Sequence, residues 1–338
     1  MTGGTGLVGT HLLVHLAEKY YHIRAIYRNE NRIEEAKRIF QFYHQDYLPL
    51  WKKVEWYPAD MTDYFSLEDA LKGVRYVIHA AAIVSFNPGE SDKMLAINSE
   101  GTANLMDACL QNKIERVCYV SSVSSLGRPV EDGLIHEELE WQPDSHRSAY
   151  SHSKFRAEME VWRAAKEGLP VVIVNPSVII GPVNWKRSSG KLFYSVKKGM
   201  PFYTSGVTGF VDVRDVAKAI VLLMESDVVN ERFILNSENL PFKDLFTMIA
   251  KSIDKKAPRI KVSKCITEIG WRINLFLCFI AGKAPAITRD TARSAQTKSY
   301  FSNEKFKNKF NFTFISIEDS VANAAQWYKN KSTPLRKN

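Results

Sequence analysis

Apolar positions along the first half of the chain switch repeatedly between two periods. Leu7 to Tyr20, LVGTHLLVHLAEKY, has apolar residues at 3.6-residue spacing and predicts a helix. Ile23 to Tyr27, IRAIY, alternates and is rich in β-formers, so it predicts a strand. The switch recurs as helix Ile33 to Tyr43, strand Val54 to Tyr57, helix Ser66 to Leu71, strand Tyr76 to His79, helix Met94 to Gln111 and strand Arg116 to Val120. A loop rich in Ser, Pro and Gly leads to a long helix from about Ala149 to Lys166 and then strand Val171 to Val174. Strands separated by helices at this interval imply an α/β fold, a doubly wound parallel sheet with helices on both faces.

From Gly181 the pattern breaks up, with Pro182, Gly190, Pro201 and Gly206 interrupting shorter segments. Asp215 to Glu225 predicts a helix and Arg232 to Leu235 a strand returning to the first sheet; the rest of the tail reads as mainly helical. The expected division is a dinucleotide-binding domain over 1–180 with 208–236 returning to it. A smaller, mainly helical substrate-binding cap would cover 181–207 and 237–332, with a tail at 333–338. A ligand cleft is expected between the two.

Composition narrows the class. With 338 residues, 45% hydrophobic and 25% charged, the chain is of ordinary globular make-up and long enough for about two domains. The net charge of +9 favours anionic partners without choosing among nucleic acid, lipid headgroups and a phosphorylated cofactor. Cys109, Cys118, Cys265 and Cys278 show no C-x-x-C spacing, so neither a metal site nor a disulfide framework is expected, and a reducing cytoplasm is the default. Cys265 to Ala281, CITEIGWRINLFLCFIA, is strongly apolar but shorter than a span of about 20 residues and contains Glu268, Arg272 and Asn274. Lys255, Lys256, Arg259, Lys261, Lys264 and Lys283 flank it, as in an interfacial helix that touches a membrane peripherally. The favoured reading is a cap helix whose apolar face closes the substrate cleft.

The chain opens Met1-Thr2-Gly3-Gly4-Thr5-Gly6, a loop rather than a secretory signal. Gly3, Gly6 and Gly9 form G-x-x-G-x-x-G before a helix, where bare backbone lets N–H groups meet a pyrophosphate at the positive helix end. Thr5, Leu7 and Val8 belong to the same candidate cradle. Such a loop is normally fed by a buried strand of about five residues, and Met1 stands where that strand should end. The first central strand is therefore expected to be largely missing, or the natural start to lie upstream.

At the end of the second strand of a dinucleotide fold, an acidic residue takes a ribose 2′-hydroxyl and an arginine accommodates a 2′-phosphate. Arg28 stands there and Glu30 is displaced, which favours NADP over NAD; the plain alternative for Arg28 is a solvated charge. Asp60 could accept from an adenine amino group while Met61 packs on the ring. Ala80, Ala81 and Ala82 offer small side chains where a cofactor must approach backbone.

Tyr150 and Lys154 are four apart at the start of the long helix, hence on one face. A phenol of pKa near 10 needs an adjacent ammonium and a cationic nicotinamide to serve as a base near neutrality. Tyr150 would then exchange a proton with a substrate hydroxyl while hydride moves, and Lys154 would lower its pKa and hold the ribose. Tyr194 and Lys198 repeat the spacing, so spacing alone means little. What separates the pairs is VSSVSSLG, Val120 to Gly127, a hydroxyl-rich strand end upstream of Tyr150.

Together, TGGTGLVG, Asp60, HAAA, NSEGT at Asn98–Thr102, VSSVSSLG, YSHSK and NPSVIIGP at Asn175–Pro182 resemble the extended short-chain dehydrogenase/reductase (NAD-dependent epimerase/dehydratase) superfamily over nearly the whole chain. Ile23–Arg28, NPSVIIGP, Ala284–Thr288 and Trp327-Tyr328 look like its dihydroflavonol-reductase and 3β-hydroxysteroid-dehydrogenase-like branch. The resemblance implies a Rossmann-like sheet, with Ser122 as catalytic serine, Tyr150 as acid/base and Lys154 as its partner. It also implies Asn98 supporting the cofactor site, though a helix cap is an equal reading, and Pro176, Ser177 and Val178 beside the nicotinamide carboxamide.

Ser85, Phe86, Trp185, Phe193 and Tyr203 are substrate-pocket candidates, with Ser122 shared; such aromatics are more often core. The leading expectation is an NAD(P)-dependent oxidoreductase acting on a secondary alcohol or ketone, with a homodimer as a candidate assembly. The alternatives are a sugar epimerase or dehydratase with retained cofactor, and a nucleotide-sensing or RNA-binding scaffold suggested by the basic run Lys251 to Lys264. Nucleic acid is not the expected partner, because a scaffold has no chemical need for Tyr150 and Lys154 together.

Overall fold

The computed structural model describes residues 1–20, 22–85, 87–129, 133–143, 147–280 and 288–332. Its central strands are short apolar runs covered on both sides, and every residue of Arg116–Val120 and of Val171–Pro176 is buried. Both lie in a parallel sheet, Tyr76–His79 beside Arg116–Val120 beside Val171–Pro176 beside Glu231–Leu235. Ile23–Tyr27 pairs in parallel with Val54–Pro58. Met1 and Thr2 join these two groups. The Ile26 amide donates to the Met1 carbonyl and the Thr2 amide to the Ile78 carbonyl, both at 2.9 Å, and Thr2 bridges His79 in parallel. Two residues thus occupy the central position expected of a whole strand. The spatial order runs 54–58, 23–27, 1–2, 76–79, 116–120, 171–176, 231–235, the doubly wound order in which ligands meet the carboxyl ends of the strands.

The helices follow the predicted periods closely. Leu7–Lys19 buries Leu12 and Leu13 completely, each worth about 1.5–3 kcal/mol. The helix expected from Ser66 begins at Tyr64, because Asp63 caps it by accepting from the Phe65 and Ser66 amides. The helix expected over Met94–Gln111 starts at Ser91 and is interrupted by a π turn at Ala96–Glu100 before resuming as Gly101–Gln111. The long helix spans Ala149–Lys166, and Ser148 caps it by accepting from the Ser151 amide at 3.1 Å. That cap puts Tyr150 in the first turn.

Beyond residue 176 the chain builds a second, three-stranded sheet. Val207–Asp212 lies between Val178–Ile180, to which it is parallel, and Glu238–Pro241, to which it is antiparallel. The segment 208–236 is therefore split between sheets: only Glu231–Leu235 pairs with the central one. Helices Gly190–Lys197, Val213–Glu225, Phe242–Ser252, Lys264–Ile280, Arg289–Ser294, Glu304–Phe310 and Ile317–Ser332 complete this half. Phe193 and Trp185 pack on Tyr328, with ring centroids 4.9 and 4.1 Å away.

Helix Lys264–Ile280 does not turn Ile266, Ile269 and Ile273 inward. Ile266, Ile269 and Ile273 are each more than half exposed, and they fall within about 60° of arc on a helix of 3.6 residues per turn. Thr267, on another side, bonds Gln296. These three side chains therefore stand open on the surface of the described residues. Among the described residues, no helix is long and apolar enough to cross a membrane.

Candidate active site

The phosphate-loop candidate is built by backbone crowding. Gly3 has φ +71°, and a Cβ there would lie 2.6 Å from the Ala80 carbonyl carbon; a Cβ on Gly9 would lie 2.0 Å from the Gly3 carbonyl oxygen. Both glycines are thus required by the tight turn itself. The Thr10 hydroxyl donates to the Gly4 carbonyl and holds the turn on the helix. Gly6 is exposed, and the first turn that follows, Leu7, Val8 and Gly9, carries no acidic side chain. Its amides precede the first intrahelical bond, so bare N–H groups and a positive helix end face the same way. This geometry fits a dinucleotide pyrophosphate, with Thr5 at the rim.

Alongside it, the Thr2 hydroxyl receives the Ala81 amide at 3.1 Å, fixing the Ala80–Ala82 backbone against the loop. The exposed Arg28 guanidinium lies 4.0 Å from Asp60. Asp60 also accepts from the Thr62 amide and hydroxyl, both at 2.9 Å, so one of its oxygens holds a turn rather than standing free for an adenine. Its carboxyl is held below the usual range by those bonds and by Arg28, against the opposing effect of burial, which is the largest single influence. Met61 is buried in the core, in contact distance of Gly101, and is not open to pack on a ligand ring.

The serine, tyrosine and lysine come together where strand Arg116–Val120 ends. The Ser122 hydroxyl accepts the Ser124 amide at 3.2 Å and bonds the Tyr150 phenol. Because one lone pair is committed to the amide, the serine proton is free to point at the phenol oxygen. Burial raises the Tyr150 pKa, and this serine bond opposes the rise. Lys154 is fully buried. Its ammonium donates to the Tyr119 phenol oxygen at 2.6 Å and to the Val120 carbonyl at 2.9 Å. Burial lowers its pKa to about 7, with the Glu158 carboxylate acting in the opposite sense. The decoy pair behaves differently: at the surface, a Lys198 hydrogen bond lowers the Tyr194 phenol.

Asn98 lies buried in the π turn and does not cap a helix. Its side chain pairs with Ile83 on both sides, accepting from the amide at 2.7 Å and donating to the carbonyl at 2.9 Å, and it also donates to Ser153. It therefore ties the loop after Ala82 to the helix that carries Tyr150 and Lys154. Pro176 and Ser177 are buried, with Ser177 bonded to the Leu235 carbonyl, and Val178 is half-buried beside them. Ser85 donates to Glu90 at 2.5 Å. Phe86 lies outside the described residues. Phe193 is fully buried, and Trp185 is engaged by Tyr328 and by the Lys197 ammonium 4.5 Å from its ring centroid, so both serve packing. Tyr203 is half-buried in a short strand, with Lys243 over its ring.

Reading the sequence missed Tyr119, Glu158 and Asn175. Tyr119 is hidden within a buried strand. Asn175 sits in a motif read for its proline and serine. Glu158 alone left a signal, at i+4 from Lys154 and i+8 from Tyr150 on the same helical face.

The sequence profile of the NAD dependent epimerase/dehydratase family matches residues 1–235. A dihydroflavonol-4-reductase-like protein of Synechocystis is 27% identical over 337 residues, covering 98% of this chain and 94% of that protein. Cinnamoyl-CoA reductase 1 of Petunia hybrida is 28% identical over 261 residues, covering 74% of this chain and 76% of that protein. The crystal structure of gox2253 superposes with a TM-score of 0.80 at 29% identity, covering 98% of this chain and 97% of that one. The UDP-glucose 4-epimerase of Thermotoga maritima gives 0.76 at 18% identity and covers 98% of each chain, a likeness of fold. The two reductases and the epimerase are named as enzymes and lend no support to a nucleic-acid scaffold. The chain belongs to the NAD dependent epimerase/dehydratase family and is an NAD(P)-dependent enzyme of the extended short-chain dehydrogenase/reductase type.

Proposed function

We propose that the protein interconverts a secondary alcohol and its ketone, with Tyr150 as acid/base, Ser122 as hydrogen-bond donor to the substrate oxygen and Lys154 as their electrostatic partner. The carrying observation is that Ser122, the buried Tyr150 and, one helical turn on, the buried Lys154 converge at the end of strand Arg116–Val120. A bound nicotinamide dinucleotide supplies the hydride acceptor or donor. Gly6 and the amides of Leu7, Val8 and Gly9 would hold its pyrophosphate, and Ala80–Ala82, Pro176, Ser177 and Val178 would flank it. Tyr150 moves the proton at the substrate oxygen, and Ser122 orients that oxygen. In the reductive direction the phenol gives up its proton; in the oxidative direction the phenolate takes one. The reductase names of the relatives in the 27–28% range favour net redox chemistry over epimerisation. A screen of alcohols and ketones with added NADPH or NADP tests this. Turnover that needs no added cofactor, with a dinucleotide that co-purifies and never exchanges, would turn the reading to an epimerase or dehydratase.

NADP is the favoured form. Arg32 is held below its ordinary pKa by burial and then by the neighbouring charges of Arg187 and Arg28, so three guanidiniums gather beside the end of strand Ile23–Tyr27. Glu35 accepts from Arg187 and Asn184 at 2.9 and 3.0 Å and offsets part of that charge. A surplus of arginine there suits a 2′-phosphate. Greater thermal stabilisation by NADP than by NAD is the expected result; equal shifts would remove the preference.

Peripheral contact with an anionic lipid surface is a further part of this reading. The outward Ile266, Ile269 and Ile273 lie on a helix whose approach carries exposed Lys255, Lys256, Arg259, Lys261 and Lys264. An apolar stripe beside a basic cluster matches interfacial binding. Sedimentation with phosphatidylglycerol vesicles, but not with phosphatidylcholine alone, is the expected result. No sedimentation with either would overturn it.

A further inference from the structure

Below the catalytic trio, a single carboxylate gathers four hydrogen bonds. Glu158 is 2% exposed. One of its oxygens accepts from Ser121 Oγ at 2.5 Å, Ser125 Oγ at 2.7 Å and Asn175 Nδ2 at 2.9 Å; the other accepts from Arg232 Nη1 at 2.9 Å. Two of these donors also reach the main chain of Ser122: Asn175 Nδ2 has a second N–H for the Ser122 carbonyl at 3.1 Å, and the single Ser125 hydroxyl proton is shared between Glu158 and that carbonyl at 2.7 Å. The partners come from the strand end at 121, the turn after it, and strands Val171–Pro176 and Glu231–Leu235.

We propose that Glu158 is a positioning residue, whose buried carboxylate fixes the main chain of Ser122 and so aims the Ser122 hydroxyl at Tyr150. The inference rests on the reading of Ser122 and Tyr150 given above. A carboxylate suits the site because Asn175 Nδ2 and Arg232 Nη1, which can only donate, approach its two different oxygens, and the serine hydroxyls donate beside Asn175. A glutamine would turn its NH2 group toward either Asn175 or Arg232, leaving two donors face to face in a buried site, where unmet polar groups are costly. Arg232 is in turn tied to the Glu137 carbonyl at 2.8 Å, so the carboxylate cannot drift toward the serines alone.

Glu158 has a second reach. It lies one turn beyond Lys154 and favours that lysine's charged form. The other polar groups acting at Lys154 are the Tyr119 phenol and the Val120 carbonyl, which accept its hydrogen bonds, and His79, which feels its charge from the neighbouring strand. Neutralising Glu158 therefore shifts the Lys154 titration to lower pH, an effect that needs neither substrate nor cofactor to be seen.

The test compares Glu158→Gln, Ser125→Ala, Tyr150→Phe and the solvent-side control Glu160→Gln on the whole chain. Glu158→Gln is expected to lower kcat about 10- to 100-fold with substrate KM within about twofold, as for a misaimed rather than an unbound substrate. In the apo protein, the lower end of the pH range over which stability rises should move down in Glu158→Gln. Ser125→Ala, which removes the hydroxyl proton shared between Glu158 and the Ser122 carbonyl, should lower kcat less but in the same KM-independent way. It decides the matter if Glu158→Gln fails to fold. Wild-type kcat in Glu158→Gln, or in Ser125→Ala where that variant decides, would overturn the inference while Tyr150→Phe is inactive. So would losses of kcat that merely track the folded fraction. Full turnover in Tyr150→Phe would instead refute the reading of the site, and this inference with it.

Discussion

The Lys154 ammonium bonds the phenol of Tyr119, 2.6 Å away, and the carbonyl of Val120, while the phenol of Tyr150 is bonded by Ser122. Lysine and serine thus divide two tyrosines between them. Lys154 has a depressed pKa in a dry site, and Tyr150 has a raised one. The ammonium is anchored below, to strand Arg116–Val120, and the phenol is aimed by a hydroxyl from the end of the same strand.

Tyr150→Phe removes the phenol proposed to move the substrate proton. Loss of about 10²- to 10⁴-fold in kcat is expected, with a thermal midpoint near that of the wild type because the ring remains. Retention of full turnover on an identified substrate would show that another group carries the proton.

Lys154 makes stability depend on pH. Its pKa falls from an ordinary value near 10.5 to about 7 on folding, so between these values the unfolded chain binds more protons. Stability should rise with pH across that window, and the contribution is least favourable below pH 7, where the buried amine is charged in both states. Denaturant titrations from pH 6 to 10 should show this slope in the wild type and not in Lys154→Met. A flat wild-type profile would mean that the lysine is not desolvated.

Arg28→Ala should weaken NADP binding by about 10- to 100-fold, the usual worth of a charge-assisted bond to phosphate, and leave NAD nearly unchanged. Titration of both nucleotides by calorimetry checks this. Parallel losses for the two would place the arginine on a feature they share.

Gly9→Ala should prevent the loop from closing, since the added carbon would lie 2.0 Å from the Gly3 carbonyl oxygen. Loss of dinucleotide binding is expected, together with a lower thermal midpoint. Gly6→Ala, whose Cβ would be 3.2 Å from that oxygen, should be the milder change. Equal behaviour of the two variants would contradict the crowding argument.

Ile269→Glu and Ile273→Glu should each reduce vesicle sedimentation without lowering stability, because both side chains are more than half exposed. Sedimentation should also fall as salt rises, since the lysine cluster contributes through screened charge. Unchanged sedimentation would assign lipid binding to another surface. A protein mass that falls to half in these variants would indicate a second copy on this face instead.

Most of the architecture was legible because it rests on local periodicity. Strands such as Arg116–Val120 and helices such as Leu7–Lys19 announce themselves by spacing, and the glycine loop, Ser122, Tyr150 and Lys154 stood out by residue type and order. Boundaries that depend on side-chain caps were read less well, as at Tyr64, where Asp63 starts the helix two residues early. The packing of Phe193 and Trp185 against Tyr328 joins residues more than 130 positions apart, and no local pattern reports such a contact.

By itself the amino-acid sequence determined the alternation of strands and helices and marked Ser122, Tyr150 and Lys154 as the candidate trio, because period and residue chemistry are local properties. Only the tertiary structure decided how that trio is supported. It put Met1 and Thr2 in the place of a central strand, faced Lys154 toward Tyr119, and closed the donors of Ser121, Ser125, Asn175 and Arg232 around Glu158. These contacts arise where distant segments are buried together, and there each donor must find an acceptor that spacing along the chain does not specify.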